Sequence, residues 1–76
     1  MGLELKIVTR CEDYILYYDS IKTLAFEVKF DDSEFNGEVL FCENIGSDEE
    51  DWDEVKDKDI YDFVKEKAIA DYNKLK

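Results

Sequence analysis

Acidic residues are the side chains in this 76-residue sequence whose number and spacing could support chemistry. Carboxylates can ligate hard cations, act as paired catalytic acids and bases, or bind a basic partner. Twelve of them fall within residues 31–57: Asp31, Asp32, Glu34, Glu38, Glu43, Asp48, Glu49, Glu50, Asp51, Asp53, Glu54 and Asp57. Their spacing and surroundings separate the three possibilities.

A calcium site is the first possibility, because acids recur at alternate positions between Asp51 and Asp59 and Ca²⁺ prefers carboxylate oxygens. An EF-hand loop starting at Asp51 needs an oxygen ligand at its fifth position and Gly at its sixth. The sequence has Val55 and Lys56 there. We therefore predict no dedicated metal site, and nothing in the sequence indicates a cofactor.

Catalysis is the second possibility, and the residue types argue against it. The chain has no His, so Ser-His and Cys-His nucleophile pairs are excluded. Its three glycines are scattered and form no phosphate loop. The separation of Cys11 and Cys42 fits no zinc spacing, and we expect reduced, partly buried thiols. We predict no enzyme and no catalytic residue, since no cleft is indicated that would separate two carboxyl pKa values.

Binding of a basic partner is the third possibility, and the charge distribution favours it. The formal net charge is −11, and residues 31–57 carry all of it, since Lys56 is their one base. Such a chain lacks the clustered Lys and Arg that nucleic acids or anionic membranes require. Like charges this close repel each other, so solubility alone would be served better by interspersed lysines. We predict that this segment faces a basic protein surface.

Trp52 lies in the middle of the acidic run, between Asp51 and Asp53. It can pack back onto the fold and hold the segment in place. Alternatively, it can be an aromatic anchor within a charged rim, because Trp is a residue type that often contributes much of the binding energy at interfaces. The two interpretations predict different exposure of the indole ring. We include Trp52 among the candidate partner-binding residues.

Three functions remain open at this point. The first is an inhibitor that mimics nucleic-acid charge, as small phage-encoded anti-CRISPR and anti-restriction proteins of this size and charge do, although no motif identifies a family. The second is an immunity protein or antitoxin that neutralises a basic nuclease. The third is an oligomerisation or scaffold module whose acids only solubilise it. The absence of a signal-peptide pattern or a long apolar run predicts a cytoplasmic protein.

The first half of the sequence predicts β-strands. Side chains alternate between apolar and polar over residues 3–9 and 22–30, and residues 38–43 predict a further strand after the turn signal Asn36-Gly37. Five large side chains in succession, Tyr14 to Tyr18, predict a strand over residues 13–18 that is covered on both faces. Together these segments predict an antiparallel meander of four strands.

The last third changes to helical spacing. Residues 59–75 predict an amphipathic helix with Asp71 among its solvent-facing residues and with Asp57 or Asp59 as its N-cap. Ser47 and Glu50 have capping-box spacing, which predicts a short helical turn over residues 48–55. The apolar stripe of the long helix consists of Ile60, Phe63, Val64, Ala68, Tyr72 and Leu75.

The predicted architecture is a single α+β domain over residues 1–76, a four-stranded antiparallel β-meander with the C-terminal helix packed on one face. One helix covers one face of the sheet. We therefore expect the apolar side chains of residues 14–18 that point away from it to need a second cover, from a partner or from a second copy in a homodimer.

Overall fold

The computed structural model describes residues 3–32 and 34–74, so Leu75 of the predicted stripe lies outside it. The fold is α+β, and the sheet is antiparallel with the strands in chain order. A single helix follows the sheet. The elements are β1 (Leu5–Arg10), β2 (Tyr14–Asp19), β3 (Leu24–Asp31), β4 (Glu34–Cys42), β5 (Trp52–Glu54) and α1 (Lys58–Asn73).

The sheet has five strands where the sequence predicted four. The predicted helical turn over residues 48–55 is wrong, because Trp52 pairs with Cys42 and the segment forms β5 along the edge of β4. The carboxylate of Glu50 accepts the backbone N–H of Gly46 at 2.7 Å instead of completing a capping box with Ser47. Pairing with β5 also satisfies backbone groups of β4 that a helical turn would leave open.

The predicted turn at Asn36-Gly37 is also wrong. Asp31 pairs with Glu34, so the β3–β4 turn lies between these two residues, and Asp32 has a φ of 50° there. Asn36 and Gly37 lie inside β4, where the register with β3 shifts and Gly37 has a φ of 94°. A pair that tolerates positive φ therefore accommodates an irregularity within the strand, and β4 begins four residues earlier than the pattern predicted.

The core lies between one face of the sheet and α1. Alternate residues of β2 and β3 point toward the helix, as the strand period requires. The ring of Phe30 stacks on that of Tyr72, with 3.9 Å between centroids. The buried cluster consists of Ile15, Tyr17, Phe26, Val28, Phe30, Val39, Val64, Ala68 and Tyr72.

α1 crosses the half of the sheet that lies next to the β3–β4 turn. Asp57 caps it, with its carboxylate accepting the N–H groups of Asp59 and Ile60. Near its start, the hydroxyl of Tyr61 donates to the carbonyl of Gly37 at 3.1 Å. Near its end, the hydroxyl of Tyr72 donates to the carbonyl of Glu12 at 2.9 Å. α1 therefore does not extend over the other half of the same sheet face.

Asp71 is buried, with 6% of its surface exposed, although the helical pattern placed it among the solvent-facing residues. The hydroxyl of Tyr17 donates to its Oδ2 at 2.6 Å. The Nζ atoms of Lys67 and Lys74 lie 3.6 and 3.9 Å from its carboxylate oxygens. A buried carboxylate needs such partners, and a helical-wheel pattern cannot indicate a donor that comes from a strand.

The face of the sheet opposite α1 carries alternate residues of β2 that are half-buried, Tyr14, Leu16 and Tyr18. Ala25 and Cys42 on the same face are fully buried. α1, the helix of residues 3–32 and 34–74, packs on the other face of the sheet, while the side chain of Asn44 from the loop after β4 contacts the thiol of Cys42 on this one. The prediction that β2 is covered on both faces is therefore met in full on the helix side, and on the other side its residues are half-buried.

Candidate functional site

All twelve acidic side chains of residues 31–57 are exposed, but they do not form one patch. The two ends of the nine-residue strand β4 lie about 25 Å apart at the rise of an extended chain. Glu38 is on β4, and Asp57 caps α1. Three acids lie at the β3–β4 turn, namely Asp31, Asp32 and Glu34. The other seven follow the opposite end of β4: Glu43, Asp48, Glu49, Glu50, Asp51, Asp53 and Glu54.

The loop between β4 and β5, residues 43–51, is organised by Asn44. The side-chain Oδ1 of Asn44 accepts the N–H of Asp51 at 3.0 Å, and its Nδ2 donates to the carbonyl of Glu49. Gly46, with a φ of 89°, donates its N–H to the carboxylate of Glu50. The strand predicted over residues 38–43 ended just before this asparagine. Its bonds hold together the two ends of residues 43–51, which we call the acidic loop.

The thiol of Cys42 belongs to the same network, because its Sγ donates to Oδ1 of Asn44 at 3.1 Å. Cys42 is fully buried and Cys11 is half-buried, and both are free cysteines. A buried thiol that donates to a side-chain amide serves packing and loop geometry.

A groove opens on the half of the sheet that α1 leaves uncovered. Its volume is about 730 Å³, and its apolar lining comes from β3, β4, the β5–α1 connection and the first turn of α1. The groove forms because the helix begins only at Lys58 and crosses toward the other half of the sheet. Its apolar lining on the α1 side of the sheet consists of Leu24, Phe26, Phe41 and Val55, together with Ile60 of α1 itself. We call this feature the β4–β5 groove.

A smaller depression of about 320 Å³ adjoins the β4–β5 groove. The two share Phe41 and Asp53. The depression is also lined by Glu43, Asn44 and Asp51, so carboxylates surround an aromatic floor. The acidic loop and the groove therefore form one continuous surface at this end of the sheet.

The exposure of Trp52 is intermediate between that of a residue packed on the fold and that of an exposed aromatic anchor. It is half-buried, pairs with Cys42 in the sheet and lines the β4–β5 groove. Because it pairs with Cys42, its side chain belongs to the sheet face opposite α1, where it fastens the acidic segment to the fold at the edge of the groove.

No three Asp, Glu or Cys side chains come close enough together to hold a metal ion in the part of the chain that is described. The carboxylates that the sequence places at alternate positions do not converge on one point, because Asp51 and Asp53 line the depression whereas Asp59 lies in the first turn of α1. Asp57 uses its carboxylate to cap α1.

Within residues 3–32 and 34–74, no helix is long and apolar enough to cross a membrane. Comparison of the chain with known protein families, with characterised proteins and with solved structures finds no match. The functional argument therefore depends on the geometry and charge of the chain itself.

Proposed function

We propose that this protein is a non-enzymatic inhibitor that binds a basic, nucleic-acid-binding surface of another protein and excludes nucleic acid from it. One observation carries the proposal. Seven exposed acids collect at the end of the sheet where β4, the acidic loop and β5 meet, and an ordered loop presents them. A charged surface held in a defined shape favours a specific basic partner, because fewer degrees of freedom are lost on binding.

The mechanism is electrostatic competition. Dense negative charge attracts a basic surface at long range and raises the association rate, and this effect weakens as salt screens the charges. Carboxylates of the acidic loop then occupy the Lys and Arg side chains that would otherwise contact phosphates. A phage-type anti-defence protein acting on a guide- or target-binding effector fits this mechanism. An antitoxin that neutralises a basic nuclease would use the same surface.

The test compares two triple variants with equal charge. Asp48→Asn/Glu49→Gln/Asp51→Asn neutralises the acidic loop, and its matched control, Asp31→Asn/Asp32→Asn/Glu34→Gln, removes the same charge at the other end of β4. Partners captured from the native host by the wild-type chain are purified, and their affinity is measured with and without competing DNA or RNA. We expect the loop variant to bind at least tenfold more weakly and the control to bind within about twofold of wild type.

Other outcomes would contradict the proposal. Equal losses in both triple variants would mean that only total charge matters, as expected if the acids are merely solubilising. A partner that binds this protein and nucleic acid at the same time would rule out competition. If the captured partner is a toxin nuclease and this protein inhibits its cleavage of nucleic acid, the result would support the antitoxin form of the same mechanism.

A self-associating module is a second candidate, favoured by the half-buried Tyr14, Leu16 and Tyr18 on the sheet face opposite α1. Such a face is typical of an interface. Sedimentation at several protein concentrations tests it, with Leu16→Gln as the variant. A concentration-dependent mass that this substitution abolishes would support self-association, and a constant monomer mass would exclude it.

A further inference from the structure

We infer that the β4–β5 groove receives a large apolar side chain from a partner segment in which Lys or Arg flanks that side chain. This inference rests on the proposed function, because it names the part of the basic partner that this protein contacts. It adds an apolar binding groove to the acidic surface of the proposed function.

The groove is preformed by side chains that also support the core. Phe26 on its floor is 1% exposed. Leu24, Phe41, Val55 and Ile60 are half-buried and pack against the core cluster. Their position is therefore set by the fold before any partner binds, and ordering them costs little on binding. A volume of about 730 Å³ lies in the range of sites that bind ligands and can accommodate a large aromatic or aliphatic side chain.

The charge around the groove selects a basic flank. Asp53, Glu54 and Asp57 line it together with Lys56. The adjoining depression adds Glu43 and Asp51 without any base. A Lys or Arg in that depression would pack its aliphatic stem on the ring of Phe41 and direct its charge to the carboxylates.

Other occupants satisfy only part of this surface. A neutral apolar ligand would leave the carboxylates without a counter-charge. A second copy of the chain, with a net charge of −11, would bring like charge to an acidic rim. A segment that combines apolar and basic side chains matches the groove and the depression together.

Three labelled peptides test the inference directly. The first has the sequence Gly-Ser-Arg-Phe-Arg-Ser-Gly, the second has Ser in place of Phe, and the third has Gln in place of both Arg residues. Fluorescence polarisation measures their affinity at low salt. Emission of Trp52, the single tryptophan of the chain and a residue at the edge of the groove, provides a second readout. We expect the first peptide to bind about tenfold more tightly than either of the others.

Matched variants locate the binding. Ile60→Gln removes an apolar side chain of the groove but places Gln three residues after the cap Asp57, where a capping box accepts it. Ile69→Gln makes the same change elsewhere on α1. Asp53→Asn and Asp31→Asn form the corresponding pair for charge. We expect Ile60→Gln and Asp53→Asn to weaken the first peptide about fivefold or more and their controls to leave its affinity within about twofold.

The outcomes distinguish this inference from the function it rests on. If the peptide without Phe binds as tightly as the first, and Asp53→Asn weakens both, the acidic surface binds basic partners but the apolar anchor is wrong. If Ile60→Gln and Ile69→Gln have equal effects, the groove is not the binding site. If none of the peptides binds, the inference is overturned, and the capture experiment with the loop variant decides the inhibitor proposal separately.

Discussion

The hydroxyl of Tyr17 on β2 donates a 2.6 Å hydrogen bond to Oδ2 of Asp71 in the last turns of α1. Both residues are buried. The two residues lie 54 positions apart in the chain, so the bond joins a strand to a helix that is distant in sequence. It connects the sheet to the end of the helix opposite the β4–β5 groove, and so helps to hold the helix where it leaves the groove open.

Tyr17→Phe should lower the free energy of unfolding by about 1–3 kcal/mol, because it leaves the buried carboxylate of Asp71 without its hydroxyl donor. Urea denaturation followed by circular dichroism measures the change. The matched control is Tyr61→Phe, which removes an exposed hydrogen bond to Gly37 and should cost less. Equal effects of the two substitutions would show that the Tyr17–Asp71 bond adds no stability of its own.

The stability of the protein should fall at alkaline pH through Tyr17. Burial, then the hydrogen bond to Asp71 and the charge of Asp71, raise the pKa of Tyr17 above its ordinary value of 10.0, and Arg10 partly opposes this. Below pH 10 both the folded and the unfolded protein keep the proton of the Tyr17 hydroxyl. Above it, the unfolded chain releases the proton and the folded protein keeps it, so stability falls by about 1.4 kcal/mol per pH unit.

Urea denaturation between neutral pH and pH 11 tests this expectation. The wild-type free energy of unfolding should decrease more steeply above pH 10 than that of Tyr17→Phe, since the variant lacks the titrating hydroxyl. Every other side chain is the same in the two proteins, so the difference between their pH profiles reports on Tyr17. Parallel pH profiles would contradict the assigned role of Tyr17.

Asp19→Ala should destabilise the fold by about 3 kcal/mol. The carboxylate of Asp19 is fully buried and accepts the backbone N–H groups of Glu4, Ile21 and Lys22 at 2.9, 3.2 and 3.1 Å. Asp19→Asn keeps one acceptor oxygen and should lose about half as much. Asp13→Ala, at an exposed carboxylate, serves as the control, and a loss as large as that of Asp19→Ala would refute the argument.

Asn44→Ala should loosen the acidic loop while costing only about 1 kcal/mol of stability, because the bonds it removes are mostly exposed. Hydrogen exchange of the Asp51 amide should accelerate at least tenfold, and binding to a basic partner should weaken. Asn36→Ala removes a comparable exposed bond, to the N–H of Glu38, and provides the control. Unchanged exchange at Asp51 would mean that Asn44 does not organise the loop.

Local patterns predicted much of this fold. Alternation in residues 22–30 indicated β3, and apolar spacing of three and four indicated α1, with Asp57 as one of its two N-cap candidates. The failures occurred where a local signal fits two structures. Asn36-Gly37 suits a turn or a bulge, and Ser47 to Glu50 suits a helical turn or a bend. Backbone pairing of β4 with its neighbours β3 and β5 decided both, and the register of such pairing is not set by either segment alone.

The candidate site shows the same division. The sequence by itself determined that residues 31–57 carry the net charge of −11 and that the chain lacks His. The tertiary structure decided that these acids divide between the two ends of β4 and that Asn44 orders one group. It also decided that this group adjoins an apolar groove. Charge is a sum over residue types, whereas a surface depends on which residues strand pairing and the position of α1 bring together.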